Sequence, residues 1–438
     1  MISAYILPHP PAAVKEVGYR DIEVMKVTLE AYEKASLMIK EDAPETVVII
    51  SPHAPMFSDG FYIAGGISCS GDLSQFGAAG TGLSFDYDTQ LRDEICELSR
   101  MENIPYGLGI KDNDHMDHGT IVPLTFLTQQ YRDFKLVRVS PAYLSSDILL
   151  KMGRIIERAA AHTGRRTTII ASADLSHRLK EDGPYGFAAE GPVFDEKITS
   201  AMKSFDVDKM CALMDDHDFL ERAGQCGMPS VTMMAGAIRD YMVEADFLSY
   251  EGPFGVGYAV CAYKCEDECV RLAKKALETY IQTGTLLKSY EKAFDKPAPD
   301  YMKKDKAGVF VCLKKAGGLR GCIGTFLPTT DCVSDEVIRL AVEAGTKDPR
   351  FNPVEADELC ELKYTVDILS KPEKAAIEDL DVKRYGVIVS NGYRRGLLLP
   401  DLEGVDTIEY QLAIALNKAG ISPDENFEIE RFTVERHT

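Results

Sequence analysis

Four histidine-bearing segments carry the strongest chemical signal in this 438-residue sequence. Leu7-Pro-His-Pro-Pro11 and Ser51-Pro-His-Ala-Pro55 each hold a histidine between prolines; Asp117-His-Gly-Thr120 holds a third, and Ala173-Asp-Leu-Ser-His177 a fourth. Proline restricts its own φ and the residue before it, so His9 and His53 sit in stiffened loops that preset the imidazole direction, as a metal ligand requires. Neutral imidazole is a common ligand of iron, copper and zinc. A lone loop histidine is most often structural or solvated. Here four of only eight histidines occupy such loops, which favours one shared metal site centred on His9 and His53. His115, His162, His217 and His437 lack this framing and are read as surface residues.

Strands and helices must bring these loops together. Ile2–Leu7, Thr46–Ser51, Lys135–Val139 and Thr167–Ser172 read as strands, and 22–40, 87–101 and 146–162 have helical periodicity. That alternation predicts an α/β fold, a sheet flanked by helices. Sites on such sheets lie beyond the carboxyl ends of strands, where three of the histidine segments fall. Gly255–Tyr263 reads as the last strand of this half. A helix over 267–283 follows, and Lys296-Pro-Ala-Pro299 ends the connection. The expected domains are 1–264 and 267–438, the second a compact α+β unit with strands at 308–313, 362–370, 386–390 and 395–399.

Composition narrows the function classes. A net charge of −20 argues against a nucleic-acid partner, because no basic surface is available to displace phosphate counterions. The N-terminus lacks the basic and apolar regions of a signal peptide, and apolar runs are strand-sized, too short to span a membrane. A cytoplasmic protein is expected, in which the eleven cysteines serve as thiols or ligands, not as a disulfide framework. Cys261, Cys265 and Cys269 are spaced by four, but a structural reading is preferred to a cluster-binding one.

The four histidine segments, in this order and spacing, resemble the class III extradiol ring-cleavage dioxygenases of the LigB type, and the Memo branch in particular, over residues 1–264. The resemblance implies a mononuclear site with His9 and His53 as ligands, His177 as acid/base and His118 as a further pocket histidine. In the dioxygenases the metal is Fe(II), and the third ligand is a glutamate. The corresponding segment here is Ala223-Gly-Gln-Cys-Gly-Met-Pro229, which is Memo-like and makes Cys226 the candidate third ligand. A thiolate softens the site, so copper or zinc stand as alternatives to Fe(II). The other reading of Cys226 is a buried apolar residue. Asp174 and Glu221 are the carboxylates nearest these motifs and are candidates for supporting the ligands, with Asp174 also a candidate base.

In the second half, Leu319-Arg-Gly-Cys-Ile-Gly324 implies a tight glycine turn presenting Arg320 and Cys322. With Asp348-Pro-Arg-Phe-Asn-Pro353, Tyr385-Gly-Val-Ile-Val389 and Gly396-Leu-Leu-Leu-Pro400 it resembles the AMMECR family, over roughly 267–434. Cys322 reads either as a thiol activated by Arg320 or as a packing residue, and the turn as a recognition element for a small molecule or peptide. Memo-like and AMMECR-like proteins together resemble parts of one prokaryotic system, AmmeMemoRadiSam, which implies a radical-SAM enzyme as partner. The readings of function are a metal-dependent oxidoreductase, a metal-binding scaffold without turnover, and a metal-assisted hydrolase.

Overall fold

The computed structural model describes residues 1–18, 22–109, 115–294, 298–315, 317–402 and 404–437. Lys296 and Pro297 of the expected connection lie outside them. The chain divides into two compact units, Met1–Glu266 and Asp267–Thr438.

The strands of the first unit are β1 (Ser3–Leu7), β2 (Thr46–Ile50), β3 (Phe61–Ile63), β4 (Ser68–Leu73), β5 (Ala78–Asp86), β6 (Tyr106–Leu108), β7 (Lys135–Ser140), β8 (Thr167–Ser172), β9 (Asp174–Ser176), β10 (Gln225–Cys226), β11 (Met242–Glu251) and β12 (Tyr258–Glu266). Its helices are α1 (Lys15–Gly18), α2 (Lys26–Asp42), α3 (Thr89–Met101), α4 (His118–Gln130), α5 (Ser146–His162), α6 (Glu190–Ser204), α7 (Val207–Met214), α8 (His217–Ala223) and α9 (Met228–Ile238). Eight strands form one mixed sheet in the order β11-β12-β1-β8-β2-β7-β3-β6. Its centre, β1-β8-β2-β7, is parallel, and antiparallel strands close the β12 side.

The central strands are apolar on both faces, as a sheet covered twice must be. Ile6, Val48, Ile50, Val139, Ile169 and Ala171 pack toward α5 and α9, whereas Tyr5, Leu7, Val47, Ile49 and Ile170 pack toward α2 and α4. The edge strand β11 and the β4–β5 hairpin are additions to the sequence-based expectation. β11 is a half-buried edge with alternating exposure, and the hairpin is rich in glycine and serine, residues with little strand preference.

The second unit contains α10 (Glu268–Thr283), α11 (Tyr290–Phe294), α12 (Asp300–Lys304), α13 (Val333–Thr346) and α14 (Ile408–Ala419), with strands β13 (Val309–Lys315), β14 (Gly318–Thr325), β15 (Leu362–Leu369), β16 (Glu373–Lys374), β17 (Gly386–Asn391), β18 (Arg394–Leu398), β19 (Glu428–Phe432) and β20 (Val434–His437). They form two antiparallel sheets, β14-β13-β15-β20 and β16-β19-β17-β18. The first packs against α10 and α13 and the second against α14.

Two expectations are corrected here. Leu319–Gly324 is not a turn but lies within β14, paired with β13. Its glycines permit close packing: a Cβ on Gly321 would stand 2.2 Å from the Ala344 carbonyl oxygen of α13. Cys322 is not a free thiol, because it is joined to Cys312 in a disulfide. The two residues are direct partners across β13 and β14, with Cα atoms 4.1 Å apart, close enough for their sulfurs to meet. That distance depends on strand register, which cysteine spacing alone does not reveal.

Candidate metal centre

The histidine loops leave the carboxyl ends of parallel strands, whereas Cys226 lies on β10, which follows α8 and pairs with β9. His9 follows β1, His53 follows β2, and Asp174 and His177 follow β8, its neighbour on both sides. His9 Nε2 and His53 Nε2 lie 3.0 Å apart. Cys226 Sγ is 3.7 Å from the first and 3.4 Å from the second. A cation bound about 2.0–2.3 Å from each atom would space them by about 3–3.6 Å, so this triangle fits a single shared ion.

Surrounding bonds aim these atoms. The Ser172 hydroxyl donates to the Gly119 carbonyl at 2.6 Å and is left to accept from His9 Nδ1 at 2.9 Å. That places the His9 proton on Nδ1 and turns the Nε2 lone pair inward, the arrangement usual for ligating histidines. The His9 backbone N–H donates to buried Asp174 Oδ1 at 2.7 Å. Asp117 caps α4 through Thr120 and accepts from the Ser51 hydroxyl, tying the β2 exit to the helix that carries His118. Gly227 has φ of +155°, and a Cβ there would lie 2.3 Å from Ala173 Cβ. Glycine thus lets the Cys226 segment press against the β8 exit.

His118 stacks obliquely on His53, ring centres 4.0 Å apart, and Phe76 meets it edge-on. His177 Nε2 stands 3.9 Å from Asp174 Oδ2. It is buried without a hydrogen-bond partner among the described residues, and the exposed Tyr185 ring lies 4.9 Å from the His177 ring. Burial lowers the basicity of all four imidazoles: His118 and His177 fall to about 4, and His9 and His53 also move down. They are neutral at pH 7, with lone pairs available. Burial pushes Asp174 up to about 7 and Cys226 up to about 12, the latter aided by Asp174. Metal binding must therefore displace the Cys226 proton.

The sequence family described as the catalytic LigB subunit of aromatic ring-opening dioxygenase matches residues 3–261, and the AMMECR1 family matches 270–437. This chain belongs to the LigB family. The LigB domain is fused to an AMMECR1 domain, and the fusion recurs: the chain is similar to protein CA_C1420 of Clostridium acetobutylicum, 38% identical over 469 residues, covering 99% of this chain and 98% of that one. A Thermotoga maritima protein is 50% identical over 175 residues, covering 39% of this chain and 98% of its own length. Among solved structures, Pyrococcus horikoshii PH0010 has 34% identity over 38% of this chain and 88% of its own, with a TM-score of 0.35. Escherichia coli JW3007 has 16% identity over 60% of this chain and all of its own, with a TM-score of 0.42.

Other expected residues lie elsewhere. Glu221 is exposed on α8. Arg320 is not a free handle: Nε and Nη2 donate to the Glu358 carboxylate at 3.1 and 2.8 Å, and Nη1 to the Asn352 carbonyl at 2.9 Å. Arg320 holds the Glu358 carboxyl down at about 2. Replacing Arg320 with alanine should therefore destabilise the AMMECR1 domain by about 1 kcal/mol at pH 7. The Glu358 contribution is fully present above the ordinary glutamate range and fades as pH falls toward 2. Urea unfolding of wild type and variant at pH 7 and pH 3.5 measures this. An unchanged midpoint at pH 7 would show that the clamp adds nothing.

His437, expected at the surface, is buried. Sequence reading also missed Ser172 and Asp117 as supports, since a serine and a helix-capping aspartate are unremarkable until a fold places them. A surface cleft of about 720 Å³ lies at the opposite, amino-terminal ends of β2 and β7, beside Glu45, Lys135 and Arg166. Arg166 faces Glu45 and Arg165 faces Asp88 there. No helix of the described residues is long and apolar enough to cross a membrane.

Proposed function

We propose that the LigB domain is a metal-dependent oxidoreductase, with one non-haem Fe(II) or copper ion held by His9, His53 and Cys226. The convergence of two imidazole nitrogens and one thiol sulfur within 3.0–3.7 Å carries this reading. When bound, the metal would supply a Lewis-acidic, redox-active centre with positions open to substrate and dioxygen. His177 Nε2, neutral and without a hydrogen-bond partner among the described residues, would take a proton from a substrate hydroxyl and return it later. His118 flanks the centre beside His53 and can donate or accept a hydrogen bond to a bound ligand. Asp174 holds the His9 backbone and so acts through the ligand. Phe76 and Tyr185 supply aromatic walls.

Cys226 provides the test. Bound metal should slow its alkylation by iodoacetamide ~10-fold or more, and chelation should restore the rate. Because the thiol proton is displaced, metal affinity should rise about tenfold per pH unit between pH 6 and 8. Replacing Cys226 with glutamate should shift preference from zinc or copper toward Fe(II). Equal alkylation with and without metal would remove Cys226 from the ligand set. Oxygen uptake by the Fe(II)-loaded protein separates an oxidoreductase from a metal-binding scaffold, which would consume none.

A further inference from the structure

We infer that Asp267, Cys269 and His437 form a second transition-metal site, wholly within the C-terminal unit. One ligand atom from each lies within 4.8 Å of the others. Asp267 caps α10, its Oδ1 accepting from the Val270 N–H at 2.9 Å, which leaves Oδ2 facing His437 Nδ1 at 2.7 Å. Cys269, in the first turn of α10, is fully buried, and His437 is 9% exposed. His437 is fixed by the pairing of β20 with β15, opposite Val366. The Tyr301 hydroxyl lies 3.6 Å from Cys269 Sγ and offers a fourth donor.

The donor set selects the ion. A carboxylate, a thiolate and a neutral imidazole together carry two negative charges, balanced by one divalent cation. Mixed oxygen, sulfur and nitrogen ligands suit zinc, cobalt or copper and disfavour magnesium and calcium, which take oxygen. On binding, Cys269 gives up its thiol proton to solvent and turns to close the remaining gap.

An alternative reading of the same three residues is a nucleophilic cysteine oriented by a histidine–aspartate pair. Such a thiol must reach substrate, and complete burial of Cys269 denies it that access. A closed, fully occupied site is structural in character. It would pin the last strand to the first helix of the unit, residues 170 positions apart, and so close its longest loop, which lowers the entropy of the unfolded chain.

The test uses the full chain carrying His9→Ala, His53→Ala and Cys226→Ala, so that the first centre is gone. Cobalt(II) added anaerobically should bind at about one equivalent, with the near-ultraviolet absorption of a cobalt–thiolate bond and the strong visible bands of tetrahedral geometry. Adding Cys269→Ser should abolish the thiolate band, and Asp267→Asn should weaken binding ~10-fold or more. His437→Gln serves as the second variant should Cys269→Ser fold poorly, with circular dichroism as the check. Zinc should raise the Tm of the triple variant but not that of the Cys269→Ser or His437→Gln derivatives. Absence of stoichiometric cobalt binding in the folded triple variant would overturn the site, as would a thiolate band that survives Cys269→Ser.

Discussion

Replacing His9 and His53 together with alanine should reduce the metal content of the first unit from about one ion per chain to background. Both imidazoles aim Nε2 at the same point, and one thiol cannot hold a transition-metal ion against competing water. His53→Ala alone should weaken binding ~100-fold or more, because the lost ligand exceeds the 10–100-fold cost of losing an outer partner. Ser172→Ala then tests the tautomer argument: freeing His9 Nδ1 should weaken binding ~10-fold with all three ligands still present. Element analysis after anaerobic purification reads all three variants, with competition by a chelator giving the affinities. The second candidate cluster is counted separately through Cys269→Ser. If the double-alanine protein, lacking Cys269 as well, still carried wild-type metal, the centre would be elsewhere.

The second large effect is on folding, and here two principles predict opposite signs. Gly153 lies inside α5, where alanine should stabilise the helix by about 1 kcal/mol. Yet a Cβ at Gly153 would stand 2.0 Å from the Met233 carbonyl oxygen and 2.7 Å from the Ala237 amide nitrogen of α9. Across the same crossing, a Cβ on Gly236 would lie 2.3 Å from the Leu150 carbonyl oxygen. The obstacles are helix backbone, so relief requires the helices to separate and α9 to leave the sheet. Crowding should win. Gly153→Ala is expected to cost about 3 kcal/mol and lower Tm by ~10 °C. Gly80→Ala is the control, since nothing lies within 4 Å of the Cβ it would add, and it should change stability by less than about 0.5 kcal/mol. Because α9 starts two residues after Cys226, the crowded variant should also bind metal more weakly. A stabilised Gly153→Ala would mean that helix preference outweighs the close crossing.

These outcomes separate what the residues determine from what their arrangement adds. The α/β sheet flanked by helices was legible because strand-sized β-rich runs alternate with helical periodicity, and Thr46–Ile50 and Thr167–Ser172 are buried along their whole length. The histidine loops were legible because proline frames a histidine by local chain stiffness, a property of the sequence itself. Cys226 was reached through family resemblance, since a single cysteine carries no sign of its partners. Other features depend on distances between residues far apart in the chain. Register across β13 and β14 places Cys312 opposite Cys322, and makes a reactive-looking thiol a disulfide. The fold surrounds Arg320 with Glu358 and the Asn352 carbonyl, so a handle expected to be open is clasped. His437 has no local framing, yet pairing of β20 with β15 carries it inside to Asp267. Local stiffness, periodicity and composition act over a few residues and can be read from sequence. Register, burial and side-chain partnership are set by packing across the whole unit, and the tertiary structure alone decided them.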